Sequence, residues 1–259
     1  MERSWPSSAG SVLLMSAHRR SVGEYGSQAA RPTKKGCRTT CPVMRRCLAA
    51  RTVGAMRLLV LADSAHDWPE DGDGRYELST LVRRHRPDAL ISLGDFSAVH
   101  AAVMARAGAP FVAGVYGNHC TQDYLSEYAI VDLVGDRAHP ARRGVLALPG
   151  QREVSVLAVQ GCVRYKSDRD DVLFTQAEYA SAIDEIPAAD LVITHCPPAG
   201  INDAQDAAHA GILALRQWVD RHRPRWILHG HTYDNPQHSR HGDTEVFYVH
   251  GQAMVDLQF

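Results

Sequence analysis

Ala89-Leu90-Ile91-Ser92-Leu93-Gly94-Asp95 decides the fold. A short, nearly unbroken aliphatic run closed by a glycine and an acid is the pattern of a strand buried on both faces, and such strands belong to parallel sheets covered by helices. The chain repeats the device. Arg57-Leu58-Leu59-Val60-Leu61 runs to Asp63, residues 110–116 to Gly117-Asn118-His119, Leu191-Val192-Ile193 to Thr194-His195, and Trp226-Ile227-Leu228 to His229-Gly230-His231. Between these runs, apolar spacing predicts helices over 76–84 (closed off by Pro87), from beyond Asp95 through Val103, over 176–186 and over 212–221. Residues 154–163 alternate before turning wholly apolar, and 245–249 read as a last strand. Strands alternating with helices imply a largely parallel, layered α/β architecture with ligands gathered at the carboxyl ends of the strands.

Composition bounds what such a chain does. Of 259 residues, 45% are apolar and 22% charged, an ordinary globular balance with enough length for a substantial core. The net charge of −1 hides an asymmetry: residues 1–55 hold ten Lys/Arg against Glu2 and Glu24, leaving 56–259 at net −9. That acidity argues against general nucleic-acid binding by the folded part. Residues 1–55 lack sustained periodicity and cannot offset their ordering entropy, so they are expected to be a disordered basic extension, with the domain occupying 56–259. A solvated tail, or an upstream start with Met56 as the natural beginning, is favoured over an arm for RNA or acidic lipid. Cys37, Cys41 and Cys47 there match no standard zinc spacing. Six cysteines in a chain of this length make no disulfide scaffold, and a reducing cytoplasm is the simplest compartment. No apolar stretch reaches the roughly 18 residues of a membrane span, and Val12-Leu13-Leu14-Met15 is too short for a secretory signal core.

The fragments at the strand ends carry one kind of chemistry. Carboxylates, a carboxamide and imidazoles are the oxygen and nitrogen donors of a two-metal centre for phosphoester cleavage. Two cations roughly 3.5–4 Å apart need a shared anionic bridge, the role assigned to Asp95, while neutral imidazoles and an amide oxygen fill the shells without over-neutralising the charge. A bridging water acidified toward neutral pH would attack phosphorus in line. The departing alkoxide needs a proton, and His119, next to Asn118, is placed to give it and to stabilise phosphoryl charge. Glycines 94, 117 and 230 permit tight turns where a side chain would crowd the metals. Taken alone, each Asp or Gly-Asn pair is an ordinary cap or turn; their joint occurrence makes the functional reading the stronger one.

The series resembles that of the calcineurin-like metallophosphoesterase superfamily, whose motifs run D-x-H, G-D, G-N-H-D/E, a strand-borne H, and G-H-x-H. The likeness extends over 56–259, and Thr194-His195-Cys196-Pro197-Pro198-Ala199-Gly200-Ile201-Asn202-Asp203 is similar to a small bacterial subgroup. It implies a two-sheet αββα sandwich with the site at its mouth. It further implies that Asp63, Asp95 and His231 serve one metal, that Asp95, Asn118, His195 and His229 serve the other, and that His119 is the catalytic imidazole. The expected cofactors are two divalent ions, Mn, Fe or Zn, one of them weakly bound. The expected substrate is a phosphomonoester or phosphodiester of a small molecule or nucleotide. The contrasting reading is a degenerate, non-catalytic relative that binds metal and nucleotide.

Two departures motivate that contrast. The first motif reads Asp63-Ser64-Ala65-His66, so the histidine expected at 65 is displaced by one. Water or a weak site is favoured over rescue by His66 through a bulge, because a shift of one on an extended segment turns the side chain to the opposite face. Cys120 stands where an acid that orients the catalytic histidine often follows. A buried, inert thiol is favoured there over a thiolate ligand. Arg164, Asn202 and His209 are the candidate substrate-binding residues. For Arg164 a solvated loop is favoured over a phosphate clamp, and for the acids near Asn202 the capping of a helix beginning near Ala208 competes. His238, His241 and His250 read as solvent or edge residues, His250 alone being kept as a distant candidate.

Overall fold

A computed structural model of the chain describes residues 55–64, 74–168 and 170–258. The basic tail, with its cysteines, and the Ala65-His66 pair lie outside the described residues, so the expectations attached to them carry no structural account.

Two sheets stack face to face. The first contains β1 (Ala55–Ala62), β2 (Ala89–Ser92), β3 (Val112–Gly114), β4 (Val131–Asp132) and β13 (Gly251–Gln258), in the order β13-β1-β2-β3-β4. The second contains β5 (Ala141–Leu146), β6 (Val154–Val159), β9 (Leu191–Thr194), β10 (Trp226–His229), β11 (His238–His241) and β12 (Thr244–Tyr248), in the order β11-β12-β10-β9-β6-β5. A two-stranded ribbon, β7 (Cys162–Val163) with β8 (Leu173–Phe174), stands apart. The central pairings are parallel, as the aliphatic runs predicted, whereas β13 on β1, β5 on β6 and β11 on β12 are antiparallel.

Alternation along β1 shows how the sandwich is built. Met56, Leu58, Val60 and Ala62 enter the cluster shared with Val156, Ile193 and Leu228 of the second sheet, while Leu59 and Leu61 enter the cluster under the helices. Successive strand side chains point to opposite faces, so a strand between a sheet and a helix layer must be apolar on both, and its sequence becomes a continuous run. The helices are α1 (Gly74–His85), α2 (Ala98–Arg106), the single turn α3 (Tyr124–Glu127), α4 (Gln176–Ile183) and α5 (Leu213–His222). Leu78 and Val82 of α1, Tyr179 and Ile183 of α4, and Leu215, Trp218 and Val219 of α5 are buried at helical spacings, giving each longer helix one apolar stripe. Thr175 and Glu178 form a reciprocal capping box that fixes the start of α4. No helix among the described residues is long and apolar enough to cross a membrane.

Some boundaries differ from the sequence reading. The run 154–163 is two strands, because β6 ends at Val159 and the Gln160 amide turns away to donate to the carbonyls of Asp136 and His139 at 2.8 and 2.6 Å. No helix begins near Ala208: Asp206 accepts the N–H groups of Ala208 and His209 within a loop, and α5 starts at Leu213. Strand β12 is not the last, since β13 returns along β1 from Gly251 opposite Ala62 to Gln258 opposite Ala55.

Candidate metal centre

Parallel pairing of β1, β2 and β3, and of β9, β10 and β12, places their carboxyl ends at one edge of the sandwich. From that edge the loops deliver Asp63, Asp95, Asn118, His195, His229 and His231, all buried. Asp63, Asp95 and His195 offer donor atoms within 4.8 Å of one another. His195 Nε2 stands 3.6 Å from Asp95 Oδ2 and 2.9 Å from Asn118 Oδ1, and the His195 and His231 rings are 4.8 Å apart. The backbone N–H of His231 donates to Asp63 Oδ2 at 3.0 Å, and that of His119 to Asp95 Oδ1 at 2.8 Å, so each carboxylate is oriented from a second motif.

Local backbone is forced to fit. Asp63, Asp95 and His231 adopt φ of 54°, 54° and 70°. Left-handed conformations of this kind cost on the order of 1–3 kcal/mol each, and Asp and His tolerate them better than most residues. Gly94 and Gly117 bring two loops into backbone contact: a Cβ on Gly117 would lie 2.2 Å from Asp95 Oδ1, and one on Gly94 would lie 2.3 Å from Gly117 N. A larger residue at 117 would displace the Asp95 carboxylate, and one at 94 would push the Tyr116-Gly117 backbone away. Cys120 Sγ accepts from the Gly117 N–H at 3.4 Å and donates toward the Phe96 carbonyl, while burial pushes its thiol up to about 12. It therefore acts as a neutral thiol bracing the two loops, which agrees with the inert-thiol reading and disfavours the thiolate.

The imidazoles are held neutral with one nitrogen committed. Burial lowers His195 to about 3, His229 to about 4 and His231 to about 3. Each neutral ring has one N–H and one free electron pair. His195 donates Nδ1–H to the Leu93 carbonyl at 2.9 Å, His229 donates Nδ1–H to Gly230 at 3.1 Å, and His231 donates Nε2–H to Ala208 at 2.8 Å. The remaining pairs are His195 Nε2, His229 Nε2 and His231 Nδ1. Fixing one nitrogen to a carbonyl in order to aim the other is the device that orients histidine ligands of metals. His195 Nε2 and Asn118 Oδ1 thus face each other pair to pair, beside a carboxylate oxygen, an arrangement that a cation resolves. The donor set fits divalent transition ions, with Asp63, Asp95, Asn118, His195, His229 and His231 as the residues that would hold them.

Other candidates occupy different positions. His119 is partly exposed, its Nδ1 3.9 Å from Asp171 Oδ2; the Asp171 side chain, 6% exposed, is paired with Lys166 at 2.5 Å. Asp171 was not singled out from sequence. It arrives because Val172 N–H bonds to the Asn118 carbonyl and Gly161 N–H to that of Tyr116, docking the β7–β8 ribbon on the third motif. Asn202, a candidate for substrate contact, donates its amide to His229 Nε2 at 3.0 Å. His209 pairs with Asp206 and packs 5.2 Å from the His231 ring and 5.3 Å from the exposed Tyr233, forming part of the rim. Arg164 donates to the Leu173 carbonyl and, through its backbone, to Phe174, tying it to the ribbon.

Two stacked mixed sheets with acid, amide and imidazole donors converging at one edge define a metal-binding α/β sandwich. The chain belongs to the calcineurin-like phosphoesterase family, whose model matches residues 56–235; this is a family of phosphoester hydrolases that use divalent metals. One solved structure, 15% identical, covers 79% of this chain and 99% of its own length with a TM-score of 0.53, and so shares the fold. A protein from Thermus thermophilus (12% identity, 79% and 99% coverage, TM-score 0.48) and a dimetal phosphatase from Danio rerio (14%, 76% and 88%, TM-score 0.46) are also similar. No curated protein matched the chain.

Proposed function

We propose that this protein hydrolyses a phosphomonoester or phosphodiester of a small molecule or nucleotide, using two divalent ions, Mn, Fe or Zn, in a reducing cytoplasmic setting. The observation that carries the reading is the convergence of Asn118 Oδ1 and Asp95 Oδ2 on His195 Nε2, at 2.9 and 3.6 Å, with Nδ1 of the same ring committed to the Leu93 carbonyl. Ions held there would supply a Lewis acid able to acidify water and polarise phosphoryl oxygens. The chain's own groups do the rest. Asp95 is held by the His119 N–H so that its second oxygen faces His195. His119, on the exposed side of that loop, protonates the leaving oxygen, and Asp171 positions its ring. His209 and Tyr233 line the approach to His231. The acidic domain, net −9 over 56–259, favours a small substrate over a nucleic acid.

A non-catalytic, metal-binding role is the second reading, favoured by Asn202: its amide at 3.0 Å saturates the electron pair of His229 and competes with an ion there. Metal analysis of the purified chain, with hydrolysis of an aryl phosphate and a bis-aryl phosphodiester with and without Mn²⁺, separates the two. Metal-stimulated turnover of either substrate supports the hydrolase; stoichiometric metal without turnover on any phosphoester supports the binding role.

A further inference from the structure

The six converging donors distribute unequally. Assigned as the family resemblance implies, one ion would have four protein donors, Asp95, Asn118, His195 and His229, and the other three, Asp63, Asp95 and His231. Divalent transition ions take four or more ligands, so among the described residues the ion beside Asp63 is a donor short.

A further imidazole stands at that place. His250 Nδ1 lies 3.8 Å from Asp63 Oδ2, and its ring meets that of Tyr233 edge-on at 5.8 Å. Topology brings it there. Strand β12 ends at Tyr248 in the second sheet, Val249 N–H bonds to the His229 carbonyl at 2.9 Å, and β13 begins in the first sheet with Gly251 opposite Ala62. His250 is thus the crossover residue between the two sheets, set beside the residue that follows Ala62. Two atoms bound to one ion at 2.0–2.2 Å are commonly about 3–3.5 Å apart. The 3.8 Å separation is therefore within a few tenths of an ångström of shared coordination, close to the 3.6 Å between His195 and Asp95. The family model ends at 235 and assigns His250 nothing.

We propose that His250 is a ligand of the ion beside Asp63, completing from the sheet-to-sheet crossover the shell that Ala65 leaves open. This rests on the two-ion reading above. The side chain is a third open to solvent, which places this ligand at the mouth of the centre.

The test uses the full chain, stripped of metal and titrated with Mn²⁺, following free Mn²⁺ by electron paramagnetic resonance and the melting temperature at each step. Wild type is expected to bind two ions. His250→Ala is expected to keep one with unchanged affinity and to bind the other at least about ten-fold more weakly, the range seen when support of a metal ligand is removed. Asp95→Ala is expected to lose both. In chelator, His250→Ala should melt with the wild type, so that its deficit appears only as lost metal-induced stabilisation; His250→Gln, which keeps the bulk, should behave likewise. Two ions bound with wild-type affinities in His250→Ala would overturn the inference and leave the two-ion reading standing. Absence of Mn²⁺ binding in wild type would overturn both. An equal drop in melting temperature with and without metal, at unchanged Mn²⁺ affinity, would make His250 a packing residue and overturn the inference.

Discussion

The carboxylate of Asp171 stands 3.9 Å from Nδ1 of His119. The two residues are far apart in sequence, yet the docked ribbon gives the imidazole an acid where the third motif itself offers only Cys120. Asp171→Asn is therefore expected to slow phosphoester hydrolysis by about ten-fold or more without changing metal content, short of the roughly 10²–10⁴-fold loss expected for His119→Ala. An unchanged rate in Asp171→Asn, measured beside an unchanged metal content, would remove Asp171 from the mechanism.

Metal and chemistry should separate cleanly by residue. Asp95→Ala and Asn118→Ala are expected to lose bound metal and turnover together, because each removes a donor from the cluster around His195 Nε2. His119→Ala should retain its metal, since the backbone N–H that donates to Asp95 is kept by alanine. Elemental analysis of the three variants decides this.

Acid should destabilise the metal-free protein before it protonates any ordinary surface carboxylate. Burial lowers His195, His229 and His231 to about 3, 4 and 3, whereas in the unfolded chain each titrates near 6.5. Below pH about 6.5 the unfolded state binds protons that the folded state refuses, so stability is full above that value and is lost as pH falls toward 4. Each imidazole contributes up to about 1.4 kcal/mol per pH unit through this window. Chemical denaturation of the chelated protein at pH 7, 6 and 5 measures the slope; a flat profile would show that the three rings are not buried in neutral form.

Contact between the second and third loops leaves no room for a side chain. Gly117→Ala would put a Cβ 2.2 Å from Asp95 Oδ1 and 2.4 Å from its nitrogen. The expected result is roughly 1–3 kcal/mol of destabilisation, typical of overpacking, together with weakened metal binding. Wild-type melting temperature and Mn²⁺ affinity in this variant would mean that the loops are not in contact.

Much of this protein was legible in its linear order. The aliphatic runs before Asp63, Asp95, Asn118, His195 and His229 announce doubly buried strands, since hydrophobic burial on two faces is written directly into composition, and a parallel arrangement then obliges their ends to meet. The edge strands were harder to read: β13 alternates, with Ala253, Val255 and Leu257 facing the core, but its place beside β1 depends on a partner at the other end of the chain. Three polar residues acquired their partners only in the folded molecule, Asp171 with no signal in the sequence, Asn202 and His250 as candidates whose contacts the sequence does not give. Asp171 reaches His119 because a ribbon docks on a loop, Asn202 reaches His229 because a left-handed turn points its amide inward, and His250 reaches Asp63 because β12 and β13 belong to different sheets. Periodicity records which face a residue shows to its own element; proximity between elements is set by packing, which no local pattern encodes.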